Sequence, residues 1–236
     1  MSVAAAAAGR RQPVRAVLFD LDGTLLDTAP DLAWALNRTL EWAGRAPLPF
    51  ATIRPWVSHG ARSLITHGFG IDDAHPDFPR YRGHLLDAYQ AHLAVETRLF
   101  PGMEALLAAL EAADIAWGVV TNKPAYLTDP LMGALGLDRR AACVVSGDTT
   151  PHSKPHPEPL LHACRLTGRP CSASLYVGDA ARDIEAGLAA GMRTLVALFG
   201  YLGTGDDPGA WGAHGLVETP AGILHWIQRE TDAVAL

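Results

Sequence analysis

Two carboxylates stand two residues apart in DLDGT, where Asp20 and Asp22 precede Gly23 and Thr24. At the end of a strand an i, i+2 pair points toward one side, and Gly23 lets the chain turn directly after it. Such a pair suits a nucleophile that stays ionised beside a neighbour that donates and then takes a proton. Asp20 is the candidate nucleophile and Asp22 the candidate acid and base. Three further stations carry complementary groups: Thr121 with Asn122, Lys154, and Asp179 with Asp183. Thr121 and Asn122 can hydrogen-bond phosphoryl oxygens, and Lys154 brings a compact positive charge against both nucleophile and transferring group. Gly23 joins Thr121 and Asn122 as a phosphate-site candidate. Four carboxylates in one crevice repel one another unless a cation or shifted pKa values relieve the crowding. Mg²⁺, which takes oxygen ligands and a substrate phosphate, answers that need. Asp20 and Asp179 are its expected direct ligands, with Asp183 binding the metal or positioning its waters. The chemistry indicated is phosphoryl transfer through an aspartyl phosphate.

These residues need a scaffold that brings distant segments together. Short apolar runs at 14–20, 115–122, 143–148, 174–179 and 194–198 each end at a polar or Gly-containing turn, the pattern of strands buried on both faces. Amphipathic helical patterns lie between them, with Met103, Leu106, Leu107 and Leu110 on one face and Leu160, Leu161 and Cys164 on another. Strands alternating with helices predict an α/β, Rossmann-like, doubly wound parallel sheet, whose ligand crevice lies beyond the carboxyl ends of the strands. The first connection is the exception. Over 28–99 no buried-strand run appears, while helical patterns occupy 31–42, 53–67 and 80–95. A connection that long predicts an inserted all-helical domain, leaving a discontinuous core of 14–27 and 100–236 after a flexible leader at 1–13. Trp34, Trp42 and Trp56 are expected to fill the small helical core.

Composition narrows the function class. The 236 residues are 49% hydrophobic and 19% charged, enough apolar material for a core. A net charge of −6 is opposite to the basic footprint of a nucleic-acid binder and favours a small-molecule substrate. Cys143, Cys164 and Cys171 lack paired spacings, and no apolar run is long enough to span a bilayer, so a cytoplasmic protein is expected, monomeric by default with a dimer possible. His152 and His156 flank Lys154, but Pro155 and Pro157 forbid the helix that would make them a metal pair.

Taken in order, DLDGTLLDT at 20–28, VVTNKP at 119–124, SKPHPEP at 153–159 and VGDAARDIEAG at 177–187 resemble the four motifs of the haloacid dehalogenase superfamily. The helical insertion falls where its C1-cap members place their cap. The resemblance implies Asp20 as nucleophile, Asp22 as acid and base and, through its backbone carbonyl, as a metal ligand. It also implies Thr121 and Lys154 at the phosphate site, and Asp179 and Asp183 at the metal. TAPDL, TNKP and KPHPEPLL are similar to the phosphoglycolate phosphatase group, while SHGARSLI, RLFPGM and WGA at 211–213 are similar to the N-acetylmuramic acid 6-phosphate phosphatases. Both substrates carry a carboxylate, which Arg62 in the insertion could pair with bidentately. A sugar-phosphate mutase needs a second acceptor site, a dehalogenase fits poorly with Asp22 and the DGT turn, and a catalytically dead scaffold fits poorly with retained Asp20, Asp22 and Lys154.

Overall fold

The computed structural model describes residues 12–203 and 205–235, so most of the expected leader lies outside the described residues. In chain order the elements are β1 (Ala16–Phe19), β2 (Leu26–Asp27), α1 (Ala29–Trp42), α2 (Phe50–Ile53), α3 (Gly60–Phe69), α4 (Phe78–Ala91) and β3 (Arg98–Leu99). They continue with α5 (Met103–Ala112), β4 (Ala116–Val120), α6 (Ala125–Ala134), β5 (Val144–Val145), α7 (Glu158–Thr167), β6 (Ser174–Gly178), α8 (Ala181–Ala189), β7 (Arg193–Ala197), β8 (Gly215–Val217) and α9 (Pro220–Ala235).

Six parallel strands form the main sheet in the order β5-β4-β1-β6-β7-β8. The five sequence-predicted strands are all present. β8 is the addition: three residues beginning with Gly215 give too short an apolar run to stand out. In β1 the period of two sends Leu18 to one face, against Leu160 and Ala163 of α7 and Ala186 of α8, and Val17 and Phe19 to the other, against α5, α6 and α9. Both faces are thereby covered, which is why the strands read as continuous apolar runs. The chain runs outward from β1 through β4 to β5, then returns to β1's other side for β6. That reversal is the topological switch point, and it opens a crevice at the carboxyl ends of β4, β1 and β6.

Only helices lie between β2 and β3. Along α1, Leu32, Leu36 and Leu40 are buried at i, i+4 and i+8, and α1 packs on α3 and on α4, which buries Phe78, Leu85 and Tyr89. Trp34 and Trp42 stand at the edge of this bundle and not in its core, 37% and 46% exposed and stacked on His92 and His84. The helix predicted over 53–67 is interrupted. A 3₁₀ turn at Arg54–His59 ends at Gly60, whose φ of 74° and ψ of −172° are accessible essentially to glycine alone. The break carries residues 58–62 over the crevice. The buried carboxylate of Asp31 at the start of α1 accepts hydrogen bonds from the Glu96 and Thr97 amides and the Thr97 hydroxyl, fixing where the segment returns. Leu26 pairs with Leu99 and Asp27 with Arg98, so β2 and β3 make a small antiparallel ribbon at its base.

Candidate active site

β1 ends at Asp20, β4 at Thr121 and β6 at Asp179, so the parallel registers bring three of the sequence-predicted stations to one rim of the sheet. Lys154, on the loop after β5, reaches in from the side. Its ammonium is buried and faces four oxygens: Asp20 Oδ1 at 2.8 Å, Asp183 Oδ1 at 2.8 Å, the Val120 carbonyl at 2.9 Å and the Tyr176 hydroxyl at 2.7 Å. Tyr176 donates its own proton to the Val120 carbonyl at 2.8 Å, which fixes the phenol as an acceptor for Lys154.

Asn122 differs from its sequence-based role. Its amide nitrogen donates to the Lys154 carbonyl at 2.9 Å and its amide oxygen accepts the Lys154 N–H at 3.0 Å. Both polar atoms therefore hold the lysine backbone in place, although Asn122 still borders the cavity above. Thr121 is buried at the strand end, its hydroxyl oxygen accepting the Lys123 N–H at 3.1 Å.

Asp20, Asp179 and Asp183 are all buried, and each offers an oxygen within 4.8 Å of the others. Asp183 Oδ2 accepts the Ala180 N–H at 3.0 Å, which anchors the carboxylate at the start of α8. Asp179 Oδ2 accepts the Tyr201 N–H at 2.9 Å and the Ser58 hydroxyl at 2.6 Å, while its Oδ1 is buried without a partner. Burial first, then the charges of Asp20 and Asp183, push the Asp179 carboxyl up to about 7. A carboxylate cluster with an orphaned buried oxygen fits a hard cation bound through oxygen. The Asp22 carboxylate stands apart from this cluster: its Oδ1 accepts the Thr28 hydroxyl at 2.7 Å and the Lys123 ammonium at 2.9 Å. Gly23 sits at φ 87°, and a Cβ there would lie 2.1 Å from Asp179 Oδ2, so the turn brings backbone against the acid cluster in a way only glycine permits.

Beside Tyr176, three more residues absent from the sequence-based set belong to the site. Lys123 follows Thr121-Asn122 directly, and its ammonium also donates to the Tyr89 hydroxyl on α4 at 2.9 Å. Burial alone would lower its pKa, but Asp22 and Tyr89 more than offset that and raise it. Arg182, next to Asp183, donates to the Ser58 carbonyl at 2.6 Å. Tyr201 joins the base of the helical segment to the acid cluster. Its hydroxyl donates to Asp27 Oδ1 at 2.7 Å and accepts the Ala29 N–H at 2.9 Å, satisfying a first-turn amide of α1. Its signal in the sequence was only a position shortly after a buried strand. Tyr201→Phe should cost about 1–3 kcal/mol by orphaning these buried groups, read as a lower midpoint in urea denaturation.

Arg62 lies at the cavity edge, with its guanidinium paired to Asp73 on the surface and its side chain 68% exposed. The cavity measures about 580 Å³, walled below by Asp20, Asp22 and Thr121 and above by residues of the helical segment, including Val57, Leu86 and Tyr89. The rings of His152 and His156 are 4.3 Å apart, but among the described residues no third ligand joins them.

The sequence profile of the haloacid dehalogenase-like hydrolases matches residues 17–197, which take in all four strand-end stations. The chain belongs to that family. Among its hydrolase relatives, the N-acetylmuramic acid 6-phosphate phosphatase of Pseudomonas aeruginosa is 42% identical over 221 residues, covering 93% of this chain and 97% of that protein. The phosphoglycolate phosphatase of Xanthomonas campestris pv. campestris is 44% identical over 212 residues, covering 87% and 93%. A solved structure described as a predicted phosphoglycolate phosphatase from Haemophilus somnus 129pt superposes with a TM-score of 0.79 at 26% identity, covering 90% of this chain and 97% of that one.

Proposed function

We propose that this hydrolase cleaves a small carboxylate-bearing phosphate monoester through an aspartyl phosphate on Asp20. The observation that carries the reading is the Lys154 ammonium between Asp20 and Asp183, at a strand-end crevice that also holds Asp22 and Thr121. Asp20 attacks phosphorus and the bond to the ester oxygen breaks, with Asp22 protonating the departing alkoxide. Asp22 then takes a proton from water as that water attacks the same phosphorus, releasing phosphate and restoring the Asp20 carboxylate. Thr28 and Lys123 orient Asp22 through its Oδ1 alone, leaving Oδ2 for this exchange. Lys154 and Thr121 face the transferring group, and Asn122 holds Lys154 in register.

Asp20, Asp179, Asp183 and the Asp22 backbone carbonyl would hold Mg²⁺. When bound, that ion supplies positive charge against the phosphoryl oxygens. The helical segment 28–99 acts as a cap that shields the site from bulk water. Its closed position is supported by Ser58 on Asp179, Lys123 on Tyr89, and Arg54, which donates to the Gly200 carbonyl at 3.1 Å.

Phosphoglycolate and N-acetylmuramic acid 6-phosphate are the substrates the relatives' names supply. The second is favoured by the cavity, whose roughly 580 Å³ falls within the range of about 300–1,000 Å³ typical of drug-sized ligands and leaves room beyond a two-carbon acid. The test is phosphate release from both esters, with Mg²⁺ and with excess EDTA. Chelation should remove activity and added Mg²⁺ restore it. Full activity in EDTA would overturn the metal assignment, and no release from any ester would overturn the hydrolase reading.

A further inference from the structure

Four cations border the cavity: Arg62, Arg82, Lys123 and Arg182. Three are already engaged, Arg62 by Asp73, Lys123 by Asp22 and Tyr89, and Arg182 by the Ser58 carbonyl. Arg82 is exposed and has no hydrogen-bond or ion-pair partner among the described residues. It is not an arbitrary surface arginine. Arg82, Leu86 and Tyr89 fall at i, i+4 and i+7 along α4, and all three border the same cavity.

This stripe has a direction. Its Tyr89 end is tied by Lys123 to Asp22 and so lies beside the reacting centre. Arg82 is seven residues back along α4, about 10 Å at the helical rise, and helical side chains lean toward the N-terminus, farther still from the chemistry. Leu86 lies between the two ends along α4, and Leu32 and Val57 add apolar surface to the same cavity, beside the polar Ser58, His59 and Asn122. A ligand filling this space has an anion at the Asp20 end, an uncharged body, and a second anion at the far end.

We propose that Arg82 is a specificity-determining residue, pairing with a carboxylate carried on the far side of a sugar-sized body from the reacting phosphate. The guanidinium fork matches a carboxylate bidentately, and the cavity offers Arg82 no competing acid. A short phosphorylated acid bound at the reacting centre leaves Arg82 unpaired. This rests on the hydrolase reading above and adds to it the length of the substrate and the residue that measures it.

The test uses two esters that share a hexosamine 6-phosphate and differ by the lactyl ether bearing the carboxylate: N-acetylmuramic acid 6-phosphate and N-acetylglucosamine 6-phosphate. The ratio of their kcat/KM values isolates the carboxylate arm. Arg82→Gln should collapse that ratio by about 10- to 100-fold, the scale of one charge-assisted pair, with Arg82→Lys retaining part of it. Activity on 2-phosphoglycolate should fall no more than on the glucosamine ester. Calorimetric binding of both hexosamine esters to Asp20→Asn protein, with and without Arg82→Gln, reads the same ratio without turnover. An unchanged ratio, an equal loss on both esters, an equally large loss on 2-phosphoglycolate, the effect appearing in Arg62→Gln instead, or a wild type that does not distinguish the two hexosamine esters would each overturn the proposal. Absence of hydrolysis with the binding ratio intact would sink the hydrolase reading and leave Arg82's assignment standing.

Discussion

Asp20→Asn should lower kcat on any phosphate ester by on the order of 10⁴-fold or more, since an amide cannot form the acyl phosphate and losing a nucleophile removes the whole pathway. The fold should survive. Asn retains an acceptor for the Leu21 N–H, which Asp20 Oδ1 accepts at 2.7 Å, and Lys154 keeps Asp183 as its counter-ion. Removing one of three neighbouring buried carboxylates also relieves repulsion, so unfolding free energy should stay within about 1 kcal/mol of wild type or rise. Phosphate release and urea denaturation on the same preparation check both halves. A kcat above one hundredth of wild type would rule out Asp20 as the nucleophile.

Lys154→Met should fail in both respects. The side chain is buried among two carboxylates, a carbonyl and a phenol, and an apolar replacement of similar length strips both carboxylates of their counter-ion, although the Val120 carbonyl keeps the Tyr176 hydroxyl and Asp20 Oδ1 keeps the Leu21 N–H. Breaking a buried ion pair from one side costs about 3–5 kcal/mol, chiefly because the remaining charge stays desolvated. Lys154→Met should therefore lose stability of that size together with activity. Adding Asp183→Asn should recover part of the stability, because the amide oxygen can still accept the Ala180 N–H while the uncompensated charge is gone. Activity should not return. A Lys154→Met protein as stable as wild type in urea would show that the cluster is balanced by something other than this ammonium.

How much of this could be read beforehand depended on the range of the signal. The strands ending at Asp20, Asp179 and Thr121 are apolar runs closed by polar residues, a local pattern, and the parallel sheet then places those ends side by side. The meeting of Asp20, Thr121 and Asp179 at one rim was legible for that reason, whereas Lys154, on the loop after β5, and Asp183, within α8, stood out by residue type and motif and not by strand position. Asn122 was legible as a site residue but not in its role, because nothing in TNKP says that its amide turns to the Lys154 backbone. Lys123 and Tyr201 act across contacts of 101 and 174 residues in sequence, to Asp22 and Asp27, and periodicity carries no information at that separation. Arg82 reads from sequence as one more polar position on an amphipathic helix; the cavity on that side of α4 sets it apart. β8 was too short to see, and the break at Gly60 required a backbone angle that composition alone does not reveal.

The two-residue ribbon at the base of the helical segment has a consequence of a different kind. The segment begins after Leu26–Asp27 and ends before Arg98–Leu99, residues that face each other in register in the two-stranded ribbon. A chain excursion whose ends are already neighbours can grow or shrink at little cost, about 0.6 kcal/mol for each doubling of its length. An exchange of the helices between those ends keeps the paired backbone at their base, provided the new helices restore the contacts made by Ser58 to Asp179 and by Tyr89 to Lys123. Under the function proposed above, what the helical segment recognises can then be revised while Asp20 and Asp22 stay in place. A graft of another family member's helices between Asp27 and Arg98 would carry its selectivity with it.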